Sequence, residues 1–215
     1  LYVAAETAAA AKSSVAVIDG TYYSTLEAAI DAAEENDTVV LTKDVELDAQ
    51  LTIDEAITLD GAGYTIFSNL NKDSAIVVSA EGAVIENVTV EGNTLLGNWN
   101  SAYGIQVYDT KDVVLSDVTI SGFDAAILVN GSEVTLEGTV DVSGNEFGGI
   151  EVSKGSGLSN ASVLTVNGEV VNSTEADDAP TAWTECEAKG ENPQGSVEGV
   201  KWTQKLIEKD GPSYQ

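Results

Sequence analysis

The chain has 215 residues, 43% of them hydrophobic, and carries 36 acidic against 9 basic side chains for a formal net charge of −27. That charge repels phosphate backbones and anionic lipid surfaces, which excludes nucleic acid as a partner, and no apolar run approaches the roughly 18 residues a membrane span needs. Every basic residue is Lys, so the chain lacks the imidazole base of the usual serine or cysteine triad and the nitrogen ligands of a typical zinc hydrolase.

In chain order, the first legible element is a helix. Thr25-Leu-Glu-Ala-Ala-Ile-Asp-Ala-Ala33 places Leu26, Ala29, Ile30 and Ala33 on one face, and Ser24 with Glu27 reads as a capping box at its start. An apolar face of this kind predicts a cap over the N-terminal end of the strands that follow, the first of them at Thr38-Val-Val-Leu41. From there five segments share the pattern apolar-x-apolar-x-Gly: Ile57 to Gly61, Val88 to Gly92, Val118 to Gly122, Val140 to Gly144 and Leu164 to Gly168. The intervals between their starts fall within the range of solenoid repeats. Alternation of period 2 predicts a strand in each, closed by a glycine turn, and Ile57, Val88, Val118, Val140 and Leu164 are expected to form one inward ladder.

Two further strands precede the repeated segment in the central units. One set is Ala83-Val-Ile85, Val113-Val-Leu115 and Val134-Thr-Leu136; the other is Ala75 to Val78, Gly104 to Val107, Ala126 to Val129 and Gly149 to Val152. A short polar residue, Asn87 and then Asp117, marks the bend between the second and third strands, where its side chain can bond nearby backbone. Three strands per unit, stacked at about 4.8 Å, predict an all-β fold: a single-stranded right-handed parallel β-helix with three parallel sheets and an N-terminal capping α-helix.

The stretch Gly104-Ile-Gln-Val-Tyr-Asp-Thr-Lys-Asp-Val-Val-Leu-Ser-Asp-Val-Thr-Ile120 and the segment Gly149-Ile-Glu-Val152 resemble the generic repeat of the pectate-lyase-like right-handed parallel β-helix superfamily. The helix from Thr25 and the strand to Leu41 are similar to the capping helix and first coil of many members. The resemblance spans roughly residues 15 to 172, and it implies a fold shared by lyases, hydrolases, esterases, phage tail proteins and non-catalytic surface modules. It also implies catalytic sets built on Arg or His, which this chain cannot supply. Binding a polyuronate to so acidic a protein without guanidinium groups would be unfavourable.

One enzymatic option remains, a glycosidase run by two carboxylates about 5 to 9.5 Å apart. With Ile76, Val78, Ile105, Val107, Ile127, Val129, Ile150 and Val152 pointing inward, the outward positions of the first sheet are Val77, Ser79, Gln106, Tyr108, Leu128, Asn130, Glu151 and Ser153. Only Glu151 among these ionises. A second acid would come from loops, with Asp109, Asp124 and Glu146 as candidates. The loop from Asn93 to Tyr103 is longer than the connections Phe123 to Ala125 and Asn145 to Gly148, and long loops on rigid scaffolds carry function. Trp99 and Tyr103 there, with outward Gln106, Tyr108 and Asn130, make an aromatic and amide surface suited to sugar rings; alternatively Trp99 folds back to cover the sheet.

Acidic clusters such as Glu175-Ala-Asp-Asp178 match no calcium motif, and the single Cys186 rules out an internal disulfide, so neither metal nor cofactor is expected. Past Thr174 the repeat gives way to a C-terminal cap, within which Val200 to Lys209 is either a short helix or a terminal strand. The expectation is one domain over residues 1–215, divided as 1–37, 38–174 and 175–215. It would be secreted or displayed on a bacterial-type cell surface as a monomeric, non-catalytic module for carbohydrate binding or adhesion to a host or cell-surface partner. A carbohydrate-active enzyme is the alternative, and a structural spacer of a larger surface protein the third.

Overall fold

The computed structural model describes residues 13–93, 102–155, 157–188 and 191–206. The order opens with β1 (Ala16–Ile18), β2 (Thr21–Tyr23), α1 (Leu26–Ala32), β3 (Thr38–Leu41), β4 (Val45–Leu47), β5 (Leu51–Ile53), β6 (Thr58–Asp60), β7 (Thr65–Ser68) and β8 (Ile76–Val78). The central strands are β9 (Val84–Glu91), β10 (Tyr103–Tyr108), β11 (Val113–Ser121), β12 (Ala125–Asn130), β13 (Glu133–Glu137), β14 (Thr139–Asp141) and β15 (Gly148–Val152). After them come β16 (Ser162–Val166), β17 (Glu169–Val171), β18 (Ala182–Ala188), β19 (Glu191–Pro193), β20 (Gly195–Glu198) and β21 (Thr203–Leu206). The protein is all-β, and its strands pair in parallel except β1 with β2 and β3, and β18 with β19.

The core follows from in-register stacking of alternating apolar residues. In the eight-stranded sheet, Leu51, Ile76, Ile105, Ile127, Ile150 and Ala182 align strand to strand, and Ile53, Val78, Val107, Val129 and Val152 form a second row two residues on. In the other sheet Val39, Leu59, Ile85, Leu115 and Leu136 make a five-strand ladder, and Val113, Val134, Leu164 and Val197 make a second row two residues away. All these side chains are buried, and each contributes about 1.5 to 3 kcal/mol by leaving water.

Among the described residues, hydrogen bonding joins the strands into two sheets, of 13 and 8 strands, where the sequence predicts three. The reason lies at the bend. Asn87 and Asp117 take left-handed backbone (φ 53° and 52°), which a short polar side chain tolerates, while pairing continues on both sides of them. β9 and β11 therefore run through the corner unbroken and merge the second and third columns. Asn87 Nδ2 donates to Asp60 Oδ1 (3.2 Å) and Thr139 N–H donates to Asp117 Oδ1 (2.9 Å), so the corner residues also bond between neighbouring strands.

Of the five residues expected in one ladder, Val88, Val118 and Val140 stand in the same column, with Val88 opposite Val118 and Thr119 opposite Asp141. Ile57 and Leu164 do not. β6 pairs with the first half of β9, and Leu164 pairs with Val134, so these two segments occupy the second column. The third-column strands at those levels are β7, where Ile66 meets Val90, and β17, where Val170 meets Val140. All five residues are still buried. The glycines account for the confusion: Gly61 packs so closely against Val88 that any Cβ there would collide with the Val88 Cβ, and so it marks the corner, whereas Gly92 and Gly122 abut each other after the third column.

Helix α1 buries Leu26, Ala29 and Ile30 and packs on β1, β2, β3 and β5. Its N-cap is Thr25, whose Oγ1 accepts the Ala28 N–H (3.2 Å), rather than Ser24. With the helix starting at Leu26, Glu27 falls in the first turn near the positive end of the helix instead of closing a capping box. Beyond Thr174 the sheets go on: β18 extends the eight-stranded sheet, β20 the larger one, and β21 adds to β18, so the Val200 to Lys209 segment contributes a strand.

Candidate functional site on the outer face of the eight-stranded sheet

Alternation along β5, β8, β10, β12, β15, β18 and β21 leaves one row of outward residues in unbroken register: Thr52, Val77, Gln106, Leu128, Glu151, Trp183 and Thr203. Two positions further along, Tyr108 pairs with Asn130 and Glu185 with Lys205, while Glu185 N–H donates to Ser153 Oγ (3.0 Å). Two parallel rows of outward positions result, and the two ends of this face differ in chemistry.

The end nearer β10 is neutral. Tyr108 is 43% exposed, beside Asn130 on the next strand and Gln106 two residues back. Gln106 Oε1 accepts from Ser74 Oγ (3.0 Å) and Asn130 Oδ1 from Gly155 N–H (2.7 Å). Each amide oxygen is thus fixed by the fold, which aims the amide N–H2 groups, neither of which has a partner among the described residues. Trp99 lies outside the described residues.

The other end is ionisable and covered. Tyr103 stands at the head of a column continued by Ala125 and Gly148, and its Oη donates to Glu151 Oε2 (2.5 Å). Trp183, although in an outward row, is only 4% exposed. Its ring rests on Gly148, where an added Cβ would sit 3.0 Å from the Trp183 Cζ3. Lys205 reaches back from β21 over that ring, 4.1 Å from its centroid, and its Nζ donates to the carbonyls of Phe147 (3.3 Å) and Asp178 (3.4 Å). Burial raises the Glu151 carboxyl to about 7, with the Glu185 charge adding to the rise and the Tyr103 hydrogen bond and Lys205 opposing it. Burial likewise raises Glu185, lowers Lys205 and, with the charge of Glu151, lifts Tyr103 well above its ordinary value.

Sequence reasoning placed Tyr103, Gln106, Tyr108, Asn130 and Glu151 on this face but missed Trp183, Glu185 and Lys205. The alternation of Ala182, Thr184 and Cys186, all buried, with Trp183 and Glu185 was the available signal. Buried Asp124 accepts the Ala102 N–H (3.3 Å), Asp109 has left-handed backbone (φ 48°) and accepts from Asn160 Nδ2 (3.3 Å), and Glu146 is exposed. Among the described residues no three His, Cys, Asp or Glu side chains gather as a metal site, and no helix is long and apolar enough to cross a membrane.

Comparison with protein-family models, with curated proteins and with solved structures returns no match for this chain. What the surface can do is therefore argued from its own chemistry.

Proposed function

We propose that the chain is a right-handed parallel β-helix of the pectate-lyase-like kind, acting outside the cell as a non-catalytic surface module whose eight-stranded sheet binds a neutral glycan. The parallel, in-register pairing of segments one repeat apart supports the fold, since Ile85, Leu115 and Leu136 are successive members of one ladder and right-handed crossovers are the rule between parallel strands. The observation that carries the function is the patch of Tyr108, Asn130 and Gln106: an exposed aromatic ring beside two oriented amide donors, all uncharged, on paired strands of one sheet. Sugar hydroxyls accept from amides and sugar C–H faces stack on rings, whereas a uronate would meet a protein of charge −27.

The test is a glycan-array screen of the purified chain, with reducing-end release followed in the same wells. Tyr108→Ala should leave stability within about 0.5 kcal/mol, as surface changes do, and weaken binding of any retained glycan at least tenfold, with Trp99→Ala as a parallel probe of the loop. Binding untouched by Tyr108→Ala would reject the site. A chain that retains no glycan at all would leave the structural-spacer reading. A second reading is favoured by Glu151 and Glu185, two outward carboxyls with raised proton affinity on neighbouring strands: a two-carboxylate glycosidase. Release of reducing ends, abolished by Glu151→Gln, would establish that reading.

A further inference from the structure

We propose that the groove at the corner between the second and third strand columns of the larger sheet is a second binding site, outside the eight-stranded sheet that carries the candidate glycan surface, and that it takes an extended diamine with an ammonium group at each end. The groove measures about 390 Å³, within the range of small-molecule sites, and it lies over buried Val88 between Thr89 and Thr119, which are paired neighbours on β9 and β11. Its opening follows from how the corner residues lean. Asn87 bends back toward β6, where its Nδ2 donates to Asp60 Oδ1 (3.2 Å), whereas Asp117 bends forward over Gly138, where its Oδ1 accepts the Thr139 N–H (2.9 Å). Two side chains on adjacent strands thus part, and the recess stays open between them.

The polarity of the lining selects the ligand. Asn87 commits its amide donor to Asp60, which leaves its Oδ1 without a partner among the described residues, and Asp60 Oδ1 is already filled by the Ala62 N–H (2.8 Å) and Asn87, which leaves Oδ2. Asp117 can accept beyond its bonds from Thr139 and Ser116. The Thr89 and Thr119 hydroxyls are the only uncommitted side-chain donors lining the groove, and they accept as readily as they donate. An acceptor-rich groove with two carboxylates and no Lys in its lining calls for a ligand that brings donors and positive charge. Spacing then decides between one ion and two. Asp60 and Asp117 stand on strands two steps apart, β6 and β11 with β9 between, so their carboxylates lie about 9.6 Å apart, two strand spacings. A metal ion bonds its oxygens at about 2.3 to 2.6 Å and cannot touch both. A chain of about five carbons with an ammonium at each end can, since each N–H···O bond adds about 2.8 Å of reach, and its middle would lie over Val88.

Isothermal titration of the full chain at about 0.15 M salt, with 1,5-diaminopentane and separately with pentylamine, tests the site. The diamine should bind one per chain and at least tenfold more tightly than the monoamine, because its second ammonium binds from a tethered position. Asp60→Asn and Asp117→Asn keep the shape and the local hydrogen bonds of the corner, and each should bring the diamine down to the affinity of the monoamine. Thr119→Trp changes no charge but fills the groove from an exposed strand position, and it should abolish binding, whereas Asp73→Asn, at an exposed acid elsewhere, should leave binding unchanged. Equal affinity for the two amines, no binding of either, binding that survives Thr119→Trp, or a loss in Asp73→Asn as large as in Asp117→Asn would each overturn the proposal. Should a variant fail to fold, amide chemical shifts of the wild-type chain decide: changes on adding the diamine confined to Ala62, Gly63, Thr89, Thr119 and their neighbours support the groove, and changes spread over the acidic surface refute it.

Discussion

Truncating Leu115 and its chain neighbour Val114 to Ala tests the interior most directly. Leu115 is fully buried on β11, with Ile85 on one side and Leu136 on the other, whereas half-buried Val114 faces outward between Val84 and Thr135. Leu115→Ala removes three carbons from a position locked by strand pairing on both flanks, so the cavity cannot close, and the loss should be about 3 kcal/mol. Val114→Ala leaves no cavity and forfeits mainly strand preference, up to about 1 kcal/mol. In a chain of this size the first change should lower the melting temperature by roughly 6 to 12 °C and the second by about 2 to 4 °C. Chemical denaturation followed by circular dichroism gives both free energies, with an unchanged m-value confirming that the same surface unfolds. Equal losses for the two variants, or a larger loss for Val114, would refute the inward and outward assignment on which the ladders rest.

Gly148→Ala should be costly even though Ala is small. Its φ of 128° is open to glycine alone, and a Cβ there would collide with the Pro180 carbonyl oxygen, so a loss of about 1 to 3 kcal/mol or more is expected by denaturation, with a red shift in tryptophan emission as Trp183 is displaced. The chain should also release no unsaturated uronate from polygalacturonate and no methanol from pectin, with or without calcium, because it has no Arg or His to act as base or clamp. Calcium-dependent absorbance of unsaturated product, lost on changing Asp109 or Asp124, would contradict that.

Strand positions within the repeats were legible because alternation of period 2 against a buried interior leaves a one-residue slip nowhere to go. The rows through Ile105 and Leu115 follow from that alone. Column membership was less legible: Ile57-Thr-Leu-Asp-Gly61 and Val88-Thr-Val-Glu-Gly92 have the same pattern, yet one glycine lies against a corner and the other against the next glycine, a difference made by neighbours a whole repeat away in the chain. The helix start moved by one residue because Thr25, not Ser24, places its hydroxyl over the Ala28 amide. At the candidate site the neutral patch was readable from alternation. The Trp183, Glu185 and Lys205 group was not, since Lys205 reaches its carbonyl partners at residues 147 and 178 only through the fold.

Register has a consequence for how such a chain can change length. Ile85, Leu115 and Leu136 are interchangeable members of one ladder, although the chain between the first two is longer than the chain between the second two. Excising everything between two equivalent positions would bring matched edges together and shorten the molecule by one strand spacing, about 4.8 Å, with every remaining row still aligned. Cuts that do not begin and end on equivalent positions would turn apolar rows outward. The molecule is quantised along its stacking direction, and the surface loops, free to differ in length between consecutive levels, are where one level can acquire a property its neighbours lack.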